Sequence, residues 1–260
     1  MSRTPTAAAL VLCLWLAGCG RADASRAPAE LQAASAPRAV VPTAPPAVRV
    51  DTLTGASQSL TGAGAYRYRV EVPQLVSGAV HDQALDTAIL GVLRREVAAF
   101  VDTAQGAAAA PVPGDLTCAS STVRLTVRLA VFRVDCTEYQ AGSAHPNAVI
   151  HTFNCDLAAG RVLALQDLFR RGSGYLDLLS AEAQRQLAAK LGPVDQQTLT
   201  HGTAAAVDNF STFLLERGGI TIVFAMYQVA PGATGEPEVS VSYDDLARFL
   251  APGVTEMVGD

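Results

Sequence analysis

Residues 134–165, VDCTEYQAGSAHPNAVIHTFNCDLAAGRVLAL, decide the fold. Val134 to Gln140 and Ala148 to Leu157 carry the β-branched and aromatic residues of strands, and Val162-Leu163-Ala164-Leu165 makes a third, short one. A Gly, Ser, His and Pro loop joins the first two, and Gly160 supplies the turn before the third. Neither link is long enough for a crossover helix, so these strands run antiparallel. On the N-terminal side, Val123, Leu125, Val127, Leu129 and Val131 alternate with Arg124, Thr126, Arg128 and Ala130. That pattern predicts a one-sided strand with its arginines outward, slipping phase at a bulge or turn near Phe132. Further back lie a loop from Ala104 to Pro113, a helix over His81 to Phe100 and a strand over Tyr66 to Val72 that stops at Pro73. On the C-terminal side, Leu176, Leu179, Ala183 and Leu187 stripe a helix from Tyr175 to Leu191, which Gly192-Pro193 ends. A hairpin follows, Ser211 to Glu216 and Ile220 to Met226 around Gly218-Gly219, then a strand from Glu238 to Tyr243 and a short helix from Asp244 to Leu250. Strands and helices mix without regular alternation, so the class is α+β: an antiparallel sheet packed by two main helices.

The rest of the chain is unlike this domain. Residues 1–18 read as an export signal, with Arg3 ahead of an apolar run of eleven residues from Ala7 to Ala17. The run is too short for a permanent span, which needs about 20. It ends in Leu16-Ala17-Gly18-Cys19, the pattern of a lipoprotein lipobox, in which the Cys19 thiol accepts the lipid and its palmitate-type acyl chains. Gly20 resembles the residue that sends lipoproteins to the outer membrane, so the expected location is lipid-anchored in the envelope, on the periplasmic face of that membrane. Residues 19–61 are rich in Ala, Pro, Ser and Thr, and Pro28, Pro37, Pro42, Pro45 and Pro46 predict a disordered tether, with an early strand over Ala47 to Leu53 as the alternative. The folded domain is then residues 62–260.

The chain carries a formal −5, which argues against a nucleic-acid partner. Residues 62–260 hold 14 basic and 21 acidic side chains, formally −7, so the acidity belongs to the domain and suits a basic partner. With Cys13 in the signal and Cys19 lipidated, Cys118, Cys136 and Cys155 remain for an oxidising compartment. A hairpin turning near Val127 sets Cys118 opposite Cys136, the favoured disulfide; Cys136 with Cys155 is the alternative. Spacings of 18 and 19 and the lack of a Cys-x-x-Cys give no metal site, and no cofactor is expected.

Tyr139-Gln140-Ala141-Gly142-Ser143-Ala144-His145-Pro146-Asn147 resembles the Tyr-x-x-Gly-Gly-Ala-His-Pro stretch of an extracytoplasmic domain family. That family is shared by the lysozyme-sensing anti-sigma factor RsiV, the non-catalytic part of the peptidoglycan deacetylase PdaC and a secreted mycobacterial antigen. Further motifs follow in order: Thr152 to Leu157 with Gly160 to Phe169, the hairpin from Phe210 to Phe224, and Tyr227-Gln228-Val229-Ala230-Pro231-Gly232-Ala233-Thr234-Gly235 before Val239 to Leu250. The resemblance covers about residues 62–252. Ser143 and Cys155 depart from it, standing where a second Gly and an aromatic are usual. It implies the same α+β fold and a binding module, with lysozyme or another cell-wall-related ligand as candidate partner. The candidate binding loops carry Tyr139, Gly142, Ser143, His145, Pro146 and Asn147, and Tyr227, Gln228 and Pro231. No catalytic residue is assigned. Two other functions stay open. A cell-wall glycan hydrolase would need acids such as Asp156 and Asp167 to converge, or Ser143 and His145 to pair. The other is a structural envelope lipoprotein.

Overall fold

The computed structural model describes residues 44–77 and 80–259; the signal, Cys19 and the tether as far as residue 43 lie outside them. In chain order the elements are β1 (Ala47–Ala56), β2 (Tyr66–Val76), α1 (Val80–Gln105), β3 (Gly114–Leu125), β4 (Leu129–Tyr139), β5 (Asn147–Asp156) and β6 (Arg161–Val162). Then come α2 (Tyr175–Leu191), α3 (Gln196–Gly202), β7 (Phe213–Leu215), β8 (Gly219–Val223), β9 (Glu238–Ser242), α4 (Tyr243–Leu246) and α5 (Val254–Val258). The fold is α+β, with one sheet of β1 to β6 in sequence order and a second of β7 to β9.

Two sequence expectations change here. The sheet is not wholly antiparallel: β2 and β3 pair in parallel, with α1 as the crossover between them. And the tether does not run to residue 61, because Ala47 to Ala56 pair with Arg67 to Val76 of β2 as an edge strand. β2 itself runs through Pro73 to Val76. Its pairing with β3 stops at Val70, so beyond that point it is bonded on one side only, where a residue without an N–H is tolerated.

β4 is buried on both faces. Ala130, Phe132, Val134 and Cys136 join a core under α1, which contributes Leu85, Ile89, Leu93, Phe100 and Ala104 along one stripe. Leu129 and Val131 enter a second core with Leu179, Ala183 and Leu187 of α2 and the inner residues of β7 to β9. Fully burying each large apolar side chain contributes about 1.5–3 kcal/mol, so β4 stabilises both cores at once. This explains the apparent slip at Phe132: a strand with two dry faces shows no polar alternation. The run from Val123 to Val131 is not one strand but the end of β3, a turn and the start of β4. Thr126 makes that turn, its N–H donating to Leu129 O at 2.8 Å while its Oγ1 accepts from the N–H of Arg128 and Leu129 at 3.1 and 3.0 Å. The bulge sits instead between Thr122 and Arg124. Arg124 does not point outward alone; it donates to Glu216 O and Val258 O, tying β3 to the second sheet and α5.

Across this hairpin Cys118 faces Cys136 and the two are disulfide-bonded, while Cys155 is free and buried. The sheets are joined by Asn154, a buried side chain on β5. Its Nδ2 donates to Phe213 O at 2.8 Å and its Oδ1 accepts from Leu215 N at 2.8 Å, so one side-chain amide stands in for a strand partner to β7. Thr152 Oγ1 accepts from Phe213 N beside it. Among the described residues no helix is long and apolar enough to cross a membrane.

Candidate functional site

The β8–β9 and β4–β5 connections meet at one surface. Tyr227, in the first, is 55% exposed and has φ 69°, the one non-glycine with positive φ among the described residues. Such a conformation costs about 1–3 kcal/mol and persists only where the surroundings impose it. Gln228 imposes it. Its Nε2 donates to Gly202 O and Asn209 O, each at 3.0 Å, and its Oε1 accepts from Ala225 N at 3.0 Å. Gly202 lies so close that a Cβ there would run into the Gln228 carbonyl. Val229 and Ala230 are buried, Pro231 is exposed, and a 3-10 turn from Gly232 to Thr234 folds back beneath the tyrosine. A Cβ on Gly232 would overlap the Tyr227 ring, so the glycine is what lets the ring lie there.

The second connection leaves β4 at Tyr139, turns through Gly142 at φ 86° with Ser143 N donating to Gln140 O, and enters β5 at Asn147. Gly142, Ser143, His145, Pro146 and Asn147 are all exposed. His145 links the loops: its Nδ1 lies 3.0 Å from Pro146 O and its Nε2 3.4 Å from the Tyr227 hydroxyl. A nitrogen facing a carbonyl must carry the proton, so in the neutral ring Nε2 accepts from Tyr227. Each loop also buries one acceptor with no hydrogen-bond partner among the described residues, Gln140 Oε1 and Glu236 Oε1. Such atoms are left for water or for a ligand's donors. At the base, Arg133 of β4 pairs with Glu238 of β9 at 2.5 Å and Asp135 at 2.7 Å. Burial works against the Arg133 charge, but these hydrogen bonds outweigh it and hold its pKa above the ordinary value.

The groups of the hydrolase reading do other things. Asp156 Oδ1 accepts from Ala158 N and Ala159 N, closing the turn after β5. Asp167 Oδ2 accepts from Ala164 N and from Arg161, holding a 3-10 turn. Among the described residues Ser143 makes no hydrogen bond to His145, and no group of three His, Cys, Asp or Glu is placed to hold a metal. Gly202, Gly232, Gln140 and Glu236 were not among the expected site residues. Pro231-Gly232 was the available signal for one of them; the others depend on which loops meet.

A strained aromatic, an imidazole and buried acceptors thus come together on two loops of an α+β frame. Residues 166–244 match the family described as "Protein of unknown function (DUF3298)". The chain is 35% identical over 110 residues to the peptidoglycan-N-acetylmuramic acid deacetylase PdaC of Bacillus subtilis (strain 168), a stretch that covers 42% of this chain and 24% of that enzyme. The chain thus spans about a quarter of the deacetylase's length. The fold is that of solved DUF3298 proteins. One from Pseudomonas aeruginosa PAO1 matches with TM-score 0.62 and 16% identity over 81% of this chain and 96% of that one. Another from Bacteroides fragilis NCTC 9343 matches with TM-score 0.60 and 18% identity over 82% and 98%. The motif resemblance to the PdaC type of domain holds.

Proposed function

We propose that this chain is a cell-wall-related, extracytoplasmic binding protein, lipid-anchored through Cys19, whose two joined loops recognise a protein or wall ligand, with lysozyme or a similar muramidase as the candidate partner. The observation that carries the reading is Tyr227: exposed, held in a strained conformation by Gln228 and Gly232, and touching His145 of the other loop. Strain kept at an exposed aromatic supports a recognition role, because a tyrosine presents large, rigid contact area with a polar tip. The disulfide suits an oxidising compartment. The likeness to part of a peptidoglycan deacetylase supports a place at the cell wall. The formal −7 of residues 62–260 complements a basic partner. Calorimetric titration of the purified chain with hen lysozyme tests the reading. A micromolar or tighter complex is expected, weakened at least about tenfold by Tyr227→Ala, the loss of a central aromatic anchor. No heat at 100-fold lower affinity than about 1 μM, or an unchanged Tyr227→Ala complex, would remove lysozyme as the partner of this surface.

A further inference from the structure

The chain also carries a basic cleft. Its lining is Arg170, Arg171, Ser173, Arg248 and Phe249. The backbone brings these together: Phe169 pairs antiparallel with Leu250, Arg170 N donates to Phe249 O at 2.9 Å and Ala251 N to Leu168 O at 2.8 Å. This ladder sets Arg170 and Arg171 beside Arg248. The loop then curls through Gly172 (φ 68°) and Gly174 (φ 79°), conformations that glycine adopts without strain, and enters α2.

Three features make the cleft more than a basic surface. None of the three guanidiniums has a carboxylate within ion-pair distance among the described residues, although acids outnumber bases in the domain. Two of them are already oriented: Arg170 Nη2 donates to the Arg248 carbonyl, and the Arg248 guanidinium lies 4.6 Å from the centre of the Phe249 ring. And Ser173 Oγ is buried with no hydrogen-bond partner among the described residues. Gly174 gives the first turn of α2 no side-chain cap, so its amides add positive potential to the same end. Asp177, in that first turn, places one negative charge beside Gly174.

We propose that this cleft is an anion site that takes a phosphate group. Three guanidiniums, each a planar fork of donors, exceed what one carboxylate can neutralise; a phosphate brings up to two negative charges and three acceptor oxygens. The Ser173 hydroxyl supplies a further donor. The net field of the domain repels anions, so binding here is local and specific rather than a product of overall charge.

Titration of the full chain with inorganic phosphate, followed by the amide NMR shifts of Gly172, Ser173 and Gly174, tests this. Saturable shifts are expected with Kd of about 1 mM or tighter, weakened at least about fivefold by Arg170→Gln or Arg248→Gln and about threefold by Ser173→Ala. Arg171→Glu, at an exposed position, should abolish the titration. Retention on phosphatidylglycerol vesicles in excess of phosphatidylcholine vesicles, lost in Arg171→Glu, would identify the phosphate as a lipid headgroup; phosphate binding without that excess would identify a soluble phosphate group. No saturable shift up to about 50 mM phosphate, or an Arg171→Glu chain that titrates like the wild type, overturns the site.

Discussion

Tyr227 pays for its position in backbone strain, and the account turns on that cost having a use. Replacing it with glycine removes both the strain and the ring. Tyr227→Gly is therefore expected to leave the unfolding free energy unchanged or raise it by up to about 1 kcal/mol, while ligand binding is lost. A large loss of stability would mean that the ring holds the fold together rather than presenting itself to a partner. Gly232→Ala gives a finer test. The added methyl displaces the ring, whose exposed tip can swing away, so binding should fall while stability changes little; equilibrium unfolding and titration on the same sample read both. Cys155 behaves in the opposite manner. Burial first, and then the nearby Asp86 carboxylate, pushes its thiol up to about 12. At pH 8 the thiolate is scarce and the sulfur inaccessible, so iodoacetamide should label the Cys155 peptide only after unfolding. Labelling in the native state would show that this core opens. At this scale the sequence named Tyr227 and His145 as candidate loop residues. It could not show their contact, because they are 82 positions apart and only the packing of two sheets brings them together.

Among elements, the weak point is the join between the sheets. Asn154 satisfies both Phe213 O and Leu215 N, and β7 is three residues long. Asn154→Leu would strand two buried backbone groups and should cost about 2–4 kcal/mol, seen in the urea midpoint, where Thr152→Val should cost about 1. The two loops should loosen together in Asn154→Leu, because β5 and β8 carry them. Within the first sheet, reducing the Cys118–Cys136 bridge frees a loop of sequence separation 18 and should lower stability by about 3 kcal/mol. The elements differ in how plainly they could be read. α2 was readable to the residue, since one apolar stripe and a Gly192-Pro193 stop specify it alone. β1 was not: Val50 is half exposed, prolines precede it, and its order comes from pairing with β2. β4 looked irregular because it faces two cores. α3 has one strong apolar anchor, Leu199, and its signal was local, the Asp195 carboxylate accepting from Thr198 N at its start.

For the molecule as a whole, the sequence gives the charge and the class of fold, and the structure gives the arrangement. Two cores share β4, and one loop from each sheet, β4–β5 and β8–β9, meets the other at His145 and Tyr227. The acidity of residues 62–260 was legible by counting; the basic cleft at Arg170, Arg171 and Arg248 was not, because Arg248 is 77 residues beyond Arg171. An acidic domain meeting a basic partner should associate faster at low salt. Raising NaCl from about 50 to 500 mM is expected to slow association with lysozyme at least about tenfold with a smaller change in dissociation, measured by surface plasmon resonance. A salt-independent rate would leave charge without a role in recognition. The most direct test is a hydrogen-exchange footprint of the chain with and without lysozyme. Protection is expected to concentrate in residues 139–147 and 225–238, both loops together. Protection confined to other segments, or to one loop alone, would contradict the claim that the two form a single recognition surface.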